Sequence, residues 1–193
     1  VSEDDSEVVE MTAAPAGRVG WVTEEDFWAL GETPERFELL DGTLIVPPSA
    51  TGFHQMASLG LANALRDAVH PGQFILEAVN VRLRPGAIVI PDVVIVLDDY
   101  DKLYFEPEQV VLVAEIVSPS NAAHDRVTKL QLYAKAGIPL YIIAERTMKG
   151  LHLQLLQLVD GYYVEVSRAG DGERLTLTDP LRTVEIDPAT LLP

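Results

Sequence analysis

The chain of 193 residues contains no cysteine. That excludes disulfides and thiolate metal ligands and fits a cytoplasmic protein. Basic residues are scarce: 14 Lys and Arg stand against 30 Asp and Glu, a net charge of −16 at pH 7 with His neutral. Such a surface repels phosphate backbones at long range, whereas nucleic-acid-binding domains ordinarily carry a basic patch. Part of the excess is local. Glu3, Asp4, Asp5, Glu7 and Glu10 fall in the first ten residues with no base among them, leaving −11 on the other 183. No run of 18 apolar residues occurs, so no membrane span or membrane partner is expected. The N-terminus lacks a basic region followed by an apolar stretch, so no secretory signal is expected either.

Hydrophobic residues make up 48%, enough for one sizeable core. Residues 1–20, acidic and then Ala- and Pro-rich, are expected to be a disordered leader, and residues 21–193 a single domain. Thr23 with Asp26 has the spacing of a capping box, opening a short helix that Gly31 ends. Asp41-Gly42 and Asp160-Gly161 each sit between apolar runs and predict hairpins. Met56, Leu59, Ala62, Leu65 and Val69 recur at helical spacing, predicting a helix over 54–69 with that face inward. Strands are expected at about 73–84, 88–97, 110–117 and 140–144, and a second long helix from about Ser120 to Gly137. The order predicts an α/β fold, a mixed central β-sheet flanked by helices.

Glu115 lies inside the most apolar run of the chain, Val110 to Val117, where an ionised side chain is least expected. Asp92 opens a second such run, Pro91 to Leu97. If the two runs pair antiparallel with Leu97 facing Val110, five residues further along each strand bring Asp92 opposite Glu115. Their Cβ atoms would then lie roughly 4.5–5.5 Å apart, where like charges destabilise a sheet unless a cation sits between them. The pair therefore predicts a metal site. The following helix carries Asp125, Lys129 and Tyr133 one turn apart, with Val127, Leu130 and Ala134 as the expected core stripe.

Read together, Phe37-Glu-Leu-Leu-Asp-Gly42, His54 opening a helix, Pro91-Asp92, Glu115-Ile-Val-Ser-Pro-Ser120, Asp125-Arg-Val-Thr-Lys129 with Tyr133, and Gly137-Ile-Pro-Leu-Tyr-Ile-Ile143 make a pattern. Over residues 23–192 it resembles the Uma-two family, described as restriction endonucleases of the PD-(D/E)XK nuclease superfamily. The resemblance implies a restriction-endonuclease-like core and hydrolysis of phosphodiester bonds in DNA. Glu38, Asp92 and Glu115 fill the acidic positions it implies. The lysine position is Val117, and Lys129 on the next helix is the implied substitute. Ile142 and Ala144 stand where the family commonly has Trp and Asp. Asp92 and Glu115 would hold Mg²⁺ or Mn²⁺, since Mg²⁺ takes one or two carboxylates and keeps several waters. A homodimer is a further expectation, because many endonucleases must reach two strands.

Each residue also has a plainer reading. Asp92 could be a turn residue at a strand start, and Glu115 a structural ion pair with Lys129 or Arg126. Lys129 and Asp125 could form an i,i+4 pair in solvent, and Glu38 could alternate outward from its strand. His54 would cap or begin its helix, Tyr133 would be core, and Ser118-Pro-Ser120 would be turn chemistry. Two further functions follow from these: a nuclease-like fold that binds partners without cutting, and a metal hydrolase for a small phosphoester.

Overall fold

Thr23 begins the ordered architecture as its spacing predicts. Its hydroxyl accepts from the Asp26 N–H at 3.1 Å, and the Asp26 carboxylate accepts from the Thr23 N–H at 2.9 Å. The reciprocal cap opens α1 (Glu24–Ala29). Asp41 and Gly42 both take positive φ, 49° and 78°, and close the hairpin of β1 (Glu38–Leu40) and β2 (Thr43–Ile45). Thr51 caps α2 (Gly52–Ala64). The strands β3 (Gln73–Glu77), β4 (Asn80–Arg84), β5 (Ala87–Val89) and β6 (Val93–Leu97) follow, where the sequence shows two longer runs. The two-residue β7 (Tyr104–Phe105), β8 (Val110–Val117) and α3 (Ala122–Ala136) come next. The chain continues through β9 (Leu140–Thr147), β10 (Gly150–Val159), β11 (Tyr162–Ala169), β12 (Leu175–Leu177) and β13 (Val184–Ile186). The structure, a computed structural model, describes residues 21–97, 99–117, 122–148 and 150–193, with the side chains of 122–126 excepted. The expected leader, Ser118-Pro-Ser120 and the Asp125 side chain lie outside the described residues.

The fold is mixed α/β. Six strands form the main sheet in the order β11-β10-β9-β8-β6-β3. Only β8 and β9 within it run parallel, and α3 makes the crossover between them that a parallel pair requires. A five-stranded sheet, β2-β1-β5-β4-β7, and the short β12-β13 pair complete the described strands. Side-chain alternation divides the main sheet into two apolar faces. Val93, Ile95, Leu112, Ala114, Ile142 and Ala144 pack against α2 and the C-terminal segment. Val94, Val96, Val113, Tyr141 and Ile143 pack against Tyr133 of α3 and the β4–β5 region of the second sheet. Among the described residues no helix is long and apolar enough to cross a membrane.

Two helices turn differently from their hydropathy patterns. On α2, Met56 is 42% exposed and Leu59 46%, while Ala57, Ser58, Leu61 and Ala62 are buried. Close approach to the sheet and to the C-terminal segment selects small side chains there; a Cβ on Gly60 would run into the Leu191 carbonyl. On α3, Val127 is 57% exposed and Tyr133 fully buried, so the inward face is rotated away from the predicted stripe, toward Tyr133.

Candidate active site

The pairing of β6 with β8 sets the site. Val93 faces Ala114, Val94 faces Val113 and Ile95 faces Leu112, the register that carries Asp92 opposite Glu115. At the other end the expected Leu97–Val110 pair is not made. Val111 is an extra residue, and Val110 faces Val96 instead. A bulge of this kind adds a residue on one strand without disturbing the pairing on its far side. Glu115 shares its face with Val113, on the side of the sheet that meets α3, and Asp92 lies just before β6 at the end of the sheet, where it meets His54 of α2.

Each carboxylate is tied down through one oxygen. Asp92 Oδ2 accepts the Ile116 N–H at 2.7 Å and lies 3.1 Å from His54 Nε2. Glu115 Oε1 accepts from Lys129 Nζ at 2.8 Å and from the Tyr133 hydroxyl at 2.6 Å. Glu38 Oε1 accepts the Ile90 N–H at 3.0 Å and lies 3.6 Å from Lys129 Nζ. The second oxygen of Asp92 and of Glu115 accepts no hydrogen bond from a described residue. No buried side-chain oxygen among them lacks a partner, so each of these two atoms keeps some contact with solvent, slight for Glu115, which is 6% exposed.

The electrostatics follow from burial. Glu115 is pushed up from 4.5 to about 7, chiefly by desolvation, with the Asp92 charge adding to the rise and Lys129 opposing it. His54 is raised by its hydrogen bond to Asp92, which outweighs its partial burial, and the charge of Arg36 pulls it down. The Tyr133 hydroxyl is raised well above its ordinary value by burial and by the Glu115 charge, so it is a donor to the carboxylate at any neutral pH.

All four residues singled out in the sequence, Glu38, Asp92, Glu115 and Lys129, meet at this end of the sheet. The structural ion pair between Glu115 and Lys129 is also formed, so the plain reading and the functional one share the same geometry. Val117 lies on the Glu115 face by alternation, and its side chain joins the apolar cluster while the Lys129 amine reaches the carboxylate from α3. Ile142 and Ala144 lie on the opposite face, under α2, so neither departure touches these carboxylates. Two residues read as plain turn out to be contacts. Tyr133 was legible in its i,i+4 spacing from Lys129. His54 is the third residue of α2 rather than its start, and only the folded chain brings its ring to Asp92.

The donor set suits a hard divalent cation. Glu38 and Glu115 hold one ammonium and Asp92 is held by His54, so with all three carboxylates ionised and His54 neutral the group carries −2. Among the described residues no three His, Asp or Glu side chains already form a closed metal cage. Mg²⁺ needs none, because it is held by one or two carboxylates with waters and substrate phosphates completing its octahedron. The open oxygens of Asp92 and Glu115 offer that pair.

This architecture, a parallel β8-α3-β9 unit set in a mixed sheet with acidic residues at one end, is a restriction-endonuclease-like α/β core. A crystal structure described as "a putative nuclease belonging to DUF820 from Anabaena variabilis ATCC 29413" shares the fold, with a TM-score of 0.66. The match covers 88% of this chain and 97% of that one at 14% identity. The chain belongs to the Uma2 (Uma-two) family, described as "Putative restriction endonuclease", whose model matches residues 24–189. No curated protein matches it.

Proposed function

We propose that the protein is a nuclease that hydrolyses phosphodiester bonds in DNA with Mg²⁺ or Mn²⁺ held by Asp92 and Glu115. The observation that carries this reading is the arrangement of the two facing carboxylates. Each is fixed through one oxygen and open at the other, and an ammonium sits 2.8 Å from Glu115. A divalent ion in that position supplies a water of lowered pKa and stabilisation of charge on the phosphoryl oxygens.

The chain's own groups do the rest. Lys129 brings a mobile point charge to the scissile phosphate or orients the attacking water. Glu38 and Glu115 hold that amine between them. Tyr133 fixes the rotamer of Glu115, and Ile116 and His54 fix that of Asp92. Contacts of this kind around metal-holding carboxylates set ligand orientation. A second copy acting on the second strand completes the reading, and sedimentation of the full chain tests that part.

Plasmid incubated with the purified chain and Mn²⁺ is expected to be nicked or linearised. Asp92→Ala and Lys129→Ala are each expected to lose at least about a hundredfold in rate. Cleavage that persists unchanged in Asp92→Ala would contradict the reading. The net charge of −16 favours one alternative, a small-phosphoester hydrolase. Turnover of a chromogenic phosphodiester without plasmid cleavage would select it.

A further inference from the structure

An acidic nuclease must still hold a polyanion, and the structure offers two guanidinium groups suited to it. Arg82, Arg84, Arg168 and Arg174 are each tied to a carboxylate. Arg36, Arg66, Arg146 and Arg182 are exposed and form no ion pair with any described residue. Arg66 and Arg182 stand by the far end of α2, and Arg36 and Arg146 are the two whose neighbours in the chain or in space belong to the site. Arg146 lies instead with its guanidinium 4.3 Å from the centre of the Phe53 ring. An aromatic platform holds a cation in place without neutralising it, so the charge stays available to an anion.

Both arginines belong to the site's end of the molecule. Phe53 immediately precedes His54, whose ring is 3.1 Å from Asp92. Ile143 is the strand partner of Glu115, and Arg146 follows it by three residues on β9, roughly 10 Å further along. That separation is too long for the reacting phosphate and suits a neighbouring one. Arg36 approaches from the second sheet, two residues before Glu38, and its charge is felt at His54. Arg146 shares the parity of Ile142 and Ala144 and so stands with Phe53 on the α2 face, the side from which His54 reaches Asp92, while Arg36 comes from the segment just before β1.

We propose that Arg146, seated on Phe53, and Arg36 form a subsite that grips the DNA backbone at phosphates next to the one being cut. This rests on the nuclease reading above. The subsite gives the chain a local positive track where its overall charge is repulsive. Contacts of this sort position the duplex and carry no sequence information.

The test uses the full chain and short fluorescent duplexes of unrelated sequence. Anisotropy in Ca²⁺ over a NaCl series measures binding, and cleavage is followed in Mn²⁺. Arg146→Ala and Arg36→Ala are each expected to lower the slope of log K against log salt by about 1, alike for every sequence. Their loss in kcat/KM falls on KM. Arg146→Lys, which keeps the charge, is expected to retain the slope. If the unsubstituted chain cuts and both alanine variants bind with its slope and KM, the subsite is overturned and the nuclease reading stands. If the unsubstituted chain neither binds nor cuts any duplex, both fall together.

Discussion

Glu115 is the residue whose ionisation shapes the molecule most. Its folded pKa of about 7 lies above the ordinary 4.5, so between those values the folded chain keeps a proton that the unfolded chain has released. The contribution of Glu115 to stability without metal is therefore greatest below about 4.5 and falls as pH climbs toward 7, by on the order of 3 kcal/mol. The raised His54 acts in the same sense, its contribution fading as pH rises above the ordinary 6.5. Urea titrations in EDTA should show the fall, and Glu115→Gln should flatten its lower part. An equally steep fall in that variant would place the proton elsewhere. His54 makes a second prediction. His54→Ala should weaken Mn²⁺ binding about 10- to 100-fold, and His54→Gln, which can return an amide N–H to Asp92, should recover most of it. At this scale the sequence was most informative where chemistry clashes with its surroundings. Glu115 in an apolar run announced itself; His54 stood out only as part of the family pattern, and its contact with Asp92 was not legible.

The helices and strands show where periodicity suffices and where packing overrides it. Asp41-Gly42 and Asp160-Gly161 fix their turns because the backbone there takes positive φ at both residues of each pair, a local requirement visible in the sequence. The register of β6 on β8 was legible at the site because the apolar runs begin and end together. The Val111 bulge was not, since an added valine inside a valine-rich run leaves no compositional mark. On α2 Met56 and Leu59 face solvent while Ala57, Ser58 and Ala62 face protein beside Leu61, so the buried face is offset from the one the hydropathy pattern selects. The close contact of Gly60 with the Leu191 backbone explains why, and it can be tested. Gly60→Ala is expected to destabilise the chain by about 1–3 kcal/mol, even though alanine is the better helix former, because α2 or the C-terminal segment must shift. A gain in urea midpoint would show that the contact is loose.

For the whole molecule, charge and site pull in opposite directions. A net charge of −16 argues against DNA, and the carboxylate cluster adds to that repulsion until a cation enters it. The fold reconciles the two by gathering Lys129 at the site and leaving Arg36 and Arg146 exposed on segments next to it, while Arg82, Arg84, Arg168 and Arg174 are neutralised in ion pairs. The sequence gives the sum of the charges but not their placement, and so overstated the difficulty. Ile142 and Ala144 are similar: as departures from a family pattern they count against catalysis, yet alternation puts them on the far face of the sheet.

One titration bears most directly on all of this: calorimetry of Mn²⁺ into the metal-free full chain and into Asp92→Ala and Glu115→Ala, at a pH above 7. One ion bound per chain, lost in both variants while their far-UV spectra stay native, is the predicted result. Variants that bind Mn²⁺ as the parent does, or a parent that binds none, would mean that facing carboxylates on β6 and β8 do not make a metal site.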